Sequence, residues 1–365
     1  MKKISFLIVF FFTIFGFSQE KKSTLNNIQF DGFYGWAIEH DKKLGNAIDG
    51  NPFGVLIQFN YSNNKNTEFN KLYNFPNRGF SFIYEDFNSE VLGEALGVYR
   101  HYNYNLSPKS KNSLTLTSAF GLGYVTEKYH SINNPFNLSQ GSNLVVSAYL
   151  KLNYFKTSLN NKLEFNAGLS LIHFSNISFK SPNLGINTVA LNTGLNYKIE
   201  TKEVHVSENK TAIHPSKKIN YNLVLRIGFN ESKEINTGLY SFYNATFYGL
   251  KKLNNYSSIT GGVEYLDSKF LKNYIEFSNN EEGTNYDKNQ NKRIGLFIGH
   301  ELSQNNFAFI SQIGYYVYAP FTYVSNIYER FGFKYKFSEH LFSEISMKVN
   351  LFRAEALEIG LGYRF

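Results

Sequence analysis

The chain has 365 residues, no cysteine and a formal net charge of +8. Without cysteine it has neither disulfides nor thiolate metal sites. A mean hydropathy of −0.32 with 18% aromatic residues excludes a bundle of membrane-spanning helices and suits alternating strands. The length admits one large β domain or two moderate ones.

The opening, MKKISFLIVFFFTIFGFSQE, places Lys2 and Lys3 before an apolar run from Ile4 to Phe17. Gly16 and Ser18 occupy the −3 and −1 positions of a cut before Gln19, so residues 1–18 read as a secretory signal peptide, too short for a transmembrane helix. No lipoprotein cysteine follows the cut, so no lipid tether is expected at the mature N-terminus. Nucleic acid is the usual partner of a basic chain, but an exported one has little access to it. The positive balance instead suits anionic lipopolysaccharide phosphates.

Beyond the signal, apolar residues alternate with polar or small ones almost to the last position. Val55, Ile57, Phe59 and Tyr61 form one row, and Val146, Ala148, Leu150, Leu152 and Tyr154 another. In the second half Ile219, Tyr221, Leu223, Leu225, Ile227 and Phe229 share a face, as do Ile345, Met347, Val349 and Leu351. Such runs reach ten to fourteen residues, longer than the five or six usual in a soluble sandwich. Apolar-out, polar-in strands of that length predict an all-β, transmembrane antiparallel β-barrel, closed because backbone in hydrocarbon must satisfy its own hydrogen bonds.

About sixteen strands are predicted, eight before Thr201 and eight after Ser216, with residues 79–86 and 269–277 ambiguous. Residues 201–217 are charged and do not alternate; they are a linker or a periplasmic turn between halves 19–200 and 218–365. The halves form one large barrel or two of eight strands. The final row of Leu357, Ile359, Leu361, Tyr363 and Phe365 ends on a terminal aromatic. This resembles the signal by which the barrel assembly machinery recognises outer-membrane barrels. With the N-terminus in the periplasm, the connections after Tyr124, Ser175 and Leu266 face outward.

The most informative stretch is Leu163 to Asn187, LEFNAGLSLIHFSNISFKSPNLGIN. Leu163, Phe165, Ala167, Leu169 and Leu171 form an apolar row that continues into His173 and Ser175, about 6.6 Å apart on one face. A second alternating run includes Val189, Leu191, Leu195 and Tyr197. A hairpin centred near Lys180 sets His173 opposite Asn187, with Cβ atoms about 4.5–5.5 Å apart. A hydroxyl, an imidazole and a group that orients the imidazole are the parts of a nucleophilic hydrolase site. Ordinary strand-end residues are the alternative.

The segments HFSN and KSPNLGIN resemble the signature of the outer-membrane lipid A 3-O-deacylases, the PagL-like or acyloxyacyl hydrolase family. The resemblance runs over the N-terminal half, roughly residues 28–200. It implies that His173 is the general base, Ser175 the nucleophile, Asn187 the third member, and Asn176 and Asn183 the amides that hold the oxyanion. The best-known members carry Glu where this chain has Asn187. An Asn still accepts from a ring N–H and sets the tautomer.

His40, His101, His130, His205, His214, His300 and His340 show no ligand spacing, and no metal or organic cofactor is expected. The run TEKYHSINNPFNLSQGSN is either a cover for substrate or a solvated loop. The closing hairpin of the second half matches the HFSN hairpin in place, with Val349 and Leu351 in the corresponding row, as a duplication that lost its nucleophile would leave it. The expectation is an integral protein of the bacterial outer membrane that removes a 3-hydroxyacyl chain from lipid A in the surrounding lipid. A non-enzymatic barrel, pore or structural, is the second reading.

Overall fold

The computed structural model describes residues 24–39, 41–62, 68–107, 112–157, 162–177, 179–199, 218–231, 238–281, 283–350 and 353–365. The expected signal peptide, residues 1–18, and the 201–217 segment lie outside the described residues. The alternating runs form two separate closed antiparallel barrels of eight strands each, which decides between the two arrangements the sequence leaves open.

The first comprises β1 (Leu25–Ala37), β2 (Phe53–Tyr61), β3 (Asn77–Asp86), β4 (Glu94–Asn105), β5 (Ser113–Val125), β6 (Leu144–Thr157), β7 (Leu163–Ser175) and β8 (Ile186–Lys198). Pairing of β8 with β1 closes it. The second comprises β9 (Ile219–Glu231), β10 (Leu239–Lys252), β11 (Ser257–Ser268), β12 (Lys292–Gln304), β13 (Phe307–Tyr318), β14 (Ile327–Lys336), β15 (Leu341–Asn350) and β16 (Arg353–Arg364), closed by β16 on β9. Of the two ambiguous segments, 79–86 lies in β3. The other opens a helix, Lys269–Glu281, because Phe270, Leu271, Ile275 and Ser278 recur with helical spacing and bury one face.

The strands follow the predicted alternation along most of their length; Val349, expected in the outward row of β15, is instead 6% exposed beside a bulge at Lys348/Val349. Leu169, Leu191, Leu225 and Ile298 stand 53–69% exposed on the outer walls. Apolar rows that long are stable facing lipid rather than water. Eight strands leave an interior just wide enough for side chains to fill.

The two interiors are filled differently, and the polar-in expectation holds only in part. In the first barrel the end near His173 is packed with apolar groups, including Phe33, Leu56, Ile83, Val145, Ile172 and Phe174. Only the remainder is polar. There Lys151 Nζ lies 2.5 Å from Asp31 Oδ2 and 2.7 Å from Gln58 Oε1, and Asn166 Nδ2 donates to Asp31 at 2.9 Å. The second interior holds a lattice of buried ion pairs. Arg330 bonds Glu264 at 2.8 Å and Glu358 at 2.6 Å, Arg226 bonds Glu344 at 2.6 Å, Arg293 bonds Glu355 at 2.7 Å and Lys334 bonds Glu301 at 2.5 Å.

The barrels touch along a seam. Phe120 of β5 meets Phe333 of β14 with ring centroids 5.9 Å apart. Beyond the strand ends, Phe69 of a short helix, Glu68–Leu72, packs edge-on against Tyr256 at 5.5 Å.

Candidate active site

The β7–β8 hairpin has the register that the residue sums require, with His173 directly opposite Asn187. His173 ends the outward apolar row, which places its ring on the outer wall at the rim. Asn187 Oδ1 lies 2.7 Å from His173 Nδ1. A carbonyl oxygen only accepts, so the neutral ring carries its proton on Nδ1 and its lone pair on Nε2.

Ser175 is buried at the end of β7, and three groups hold its hydroxyl. Asn183 Nδ2 donates to Ser175 Oγ at 3.0 Å, Asn183 Oδ1 lies 3.2 Å from it, and the Ile177 N–H donates to it at 3.3 Å. That last contact requires Ile177 at φ 55°. A β-branched residue in the left-handed region costs on the order of 1–3 kcal/mol, strain of a kind that collects at functional sites.

Both donors of Asn176 are committed to the loop. Its backbone N–H donates to Asn183 Oδ1 at 2.9 Å and its Nδ2 to the Lys180 carbonyl at 2.7 Å. Its Oδ1 is buried with no partner among the described residues. Asn176 thus holds Asn183, and Asn183 holds the serine.

Gly185 joins the two sub-clusters. At φ 72°, a Cβ placed on it would lie 3.1 Å from His173 Cε1 and 3.6 Å from Ser175 Cβ. Imidazole and serine therefore flank one backbone position, and only glycine lets the chain pass so close in that conformation.

The five expected residues lie at one rim in two hydrogen-bonded sets, His173 with Asn187 and Ser175 with Asn176 and Asn183, which approach each other at Gly185. Residues 54–196 match the family described as lipid A 3-O-deacylase (PagL), and residues 219–365 match the acyloxyacyl hydrolase C-terminal domain. The chain belongs to the PagL lipid A 3-O-deacylase family. The family is one of ester hydrolases, and family and fold together make the chain an outer-membrane β-barrel protein. Membership extends beyond the half that carries the motif and covers the second barrel as well.

No curated protein matches the chain. Among solved structures, it is similar to the Acinetobacter baumannii outer membrane protein Omp33, at 7% identity, 94% of this chain, 99% of that one and TM-score 0.17. A mutant of the Rh. blastica porin gives 8%, 94%, 100% and 0.17. The monoaromatic hydrocarbon channel TodX, also a mutant, gives 8%, 95%, 91% and 0.17. At that TM-score these likenesses carry no argument.

The PagL motif does not include several supports. Ser147 Oγ donates to the His173 carbonyl at 2.7 Å and is itself 2.7 Å from the Tyr99 hydroxyl, so the interior ties down the strand that carries the imidazole. The 126–143 connection divides in two: residues 126–136 are largely exposed, whereas Asn137, Ser139, Gln140 and Gly141 are buried against the site loop. Gln140 Nε2 donates to the Phe174 carbonyl at 2.9 Å, and Leu184 and Gly185 donate to the Leu138 and Ser139 carbonyls at 3.1 and 3.0 Å. The available sequence signal was its string of amides and hydroxyls, NNPFNLSQGSN, which suits a bonded loop as well as a wet one.

Proposed function

We propose that the chain cleaves the ester-linked 3-hydroxyacyl chain of lipid A by a Ser/His mechanism. The observation that carries this reading is the His173 Nδ1 to Asn187 Oδ1 contact of 2.7 Å on the outer wall, with Ser175 across Gly185 from the ring. The Ser175 hydroxyl attacks the ester carbonyl at the 3-position of the glucosamine disaccharide and gives its proton to His173 Nε2. Asn187 keeps the ring in the tautomer that can take it.

The oxyanion forms within bonding distance of Ser175 Oγ, where Asn183 Nδ2 already points. A donor of this kind contributes about 3–4 kcal/mol in related chemistry. Asn176 supports it by anchoring the Asn183 amide. The tetrahedral intermediate collapses by breaking the bond to the sugar oxygen, which leaves with the proton from His173. Water then attacks the acyl carbonyl as His173 takes its proton, and the acyl–serine bond breaks, with that proton returning to Ser175 Oγ and the fatty acid released.

The outer wall supplies a place for that acyl chain. Gly32, Thr193 and Ala167 are register neighbours on β1, β8 and β7, and these small groups open a groove of about 810 Å³ with Tyr34, Leu169 and Leu191 on its rim side. Thr193 is six residues along β8 from Asn187, about 20 Å away, so a chain leaving Ser175 along the wall runs into it.

The remaining assignments belong to the same reading. Residues 1–18 direct export, 19–200 and 218–365 are the two domains and 201–217 joins them. Phe365 stands exposed in the outward row at the β16–β9 closure, where assembly machinery can reach it. A pore is disfavoured because Tyr149 and Lys151 cross the first interior and Arg330 and Lys348 the second.

The test is mass spectrometry of lipid A from cells expressing the chain or its Ser175→Ala variant at equal insertion. Loss of one 3-hydroxyacyl chain only with the serine supports the reading. Unchanged lipid A in both would overturn it.

A further inference from the structure

The outward row of β9 runs Ile219, Tyr221, Leu223, Leu225, Ile227, Phe229 and then Glu231. Every residue of that row before Glu231 is at least 38% exposed, as a lipid-facing wall should be, but Glu231 is 8% exposed. One of the two groups that hold its carboxylate belongs to the other barrel. Glu231 Oε2 accepts from the backbone N–H of Ser181 at 2.6 Å, and Oε1 accepts from Gly238 N–H at 3.2 Å. Ser181 is likewise buried.

Ser181 lies in the loop that makes the site. Immediately before it, the Lys180 carbonyl receives Asn176 Nδ2. Two residues after it, Asn183 bonds both the Asn176 N–H and the Ser175 hydroxyl. A carboxylate on an amide N–H is a charge-assisted hydrogen bond, roughly twice as strong as a neutral one. It fixes the loop between the two anchor points of the Asn176–Asn183 pair.

We propose that Glu231 is a positioning residue for the deacylase site, so that the second barrel completes the site of the first. The inference rests on the Ser175 reading above. Glu231 touches no reacting atom; it acts through Ser181 on the placement of Asn183 at the nucleophile. This gives the second barrel, which has no serine or histidine cluster of its own on the corresponding rim among the described residues, a role in catalysis. A small error in donor placement costs turnover more than binding, because the oxyanion exists only beyond the ground state.

The experiment compares full-length wild type, Ser175→Ala, Glu231→Ala and Glu231→Gln in detergent micelles with purified lipid A, with folding followed by the heat-dependent shift on gels. The expected result is a fall in kcat of about tenfold for Glu231→Ala at unchanged KM, with the folded band retained. Glu231→Gln keeps an oxygen for the Ser181 N–H and should recover most of the loss. If Glu231→Ala does not fold, Glu231→Asp, which withdraws the carboxylate by one methylene, takes its place with the same expected loss.

Wild-type kcat in the folded Ala or Asp variant, or an equal loss in Ala and Gln, overturns the assignment. Activity surviving in Ser175→Ala overturns the underlying mechanism instead. An inactive Ser175→Ala beside an unaffected Glu231→Ala removes only the role of Glu231.

Discussion

The two barrels have the same strand number and the same order, yet their interiors are held by opposite chemistry. The first is closed by an apolar plug beneath the rim that carries His173 and Ser175 and, farther in, by amides and hydroxyls around the Lys151–Asp31 pair. The second is closed by guanidinium and ammonium groups interleaved with carboxylates, in which Arg330 and Lys348 share Glu264 and Arg330 also holds Glu358. The contrast shows that barrel shape does not prescribe how the lumen is satisfied, provided each buried polar group finds a partner. It also separates the two rims. The first barrel packs its rim tightly behind His173 and Ser175, while the second lends one rim carboxylate to its neighbour's loop.

The sharpest division expected between the barrels is catalytic. Ser175→Ala is expected to lower the rate of acyl release from lipid A at least about 10³-fold. Removing Ser257, the second-barrel serine whose hydroxyl lies 2.6 Å from the His300 ring, should leave that rate unchanged. Mass spectrometry of the released fatty acid against time measures both, and a rate loss in Ser257→Ala would break the division.

Stability should separate them next. Glu264→Ala removes the ion-pair partner of the buried Lys348 and one of the two carboxylates that hold Arg330, and should destabilise the second barrel by about 3–5 kcal/mol. Lys151→Ala leaves Asp31 its bonds to Gln29 and Asn166 and should cost less, about 1.5–3 kcal/mol. The chain has one tryptophan, Trp36 on β1, so its fluorescence in a urea titration reports the first barrel while far-ultraviolet dichroism reports both. Glu264→Ala should shift the dichroism and leave the Trp36 transition in place. Coincident shifts would mean that the barrels unfold as one unit.

A smaller effect tests the role proposed for Asn187 as the third member of the site. Asn187→Glu puts a negative charge beside the imidazolium that forms in the transition state and should raise kcat about tenfold, the equivalent of about 1.4 kcal/mol. Asn187→Ala, which frees the ring tautomer, should lower it. If both changes lower kcat, the present amide is already the better partner for this site. The smallest effect is expected at the wall groove. Thr193→Phe fills the space beside Gly32 and Ala167 and should shift preference toward shorter acyl chains by a few-fold, read from competition between lipid A species differing in chain length.

Much of this was legible in the residue order. Period-2 alternation is a local consequence of strand geometry, so the strand rows, their number and the outward faces follow from it. The His173–Asn187 pairing also follows, because register in a hairpin depends only on where the turn falls. The sequence could not separate one barrel of sixteen from two of eight, since both use the same strands and differ only in whether β8 meets β1 or β9. Nor could it assign 269–277, where a short apolar pattern serves helix and strand alike.

Non-local contacts were decided by the tertiary structure alone. Gly185 matters because two strand ends converge on it, Gln140 because an outer loop folds over the site, and Glu231 because a second barrel stands alongside. Glu231 lies 50 residues from Ser181, and no periodicity in one strand encodes what another barrel will press against it. Its only mark in the sequence is an acid at the end of an apolar outward row, the same break in pattern that marks His173 and Ser175.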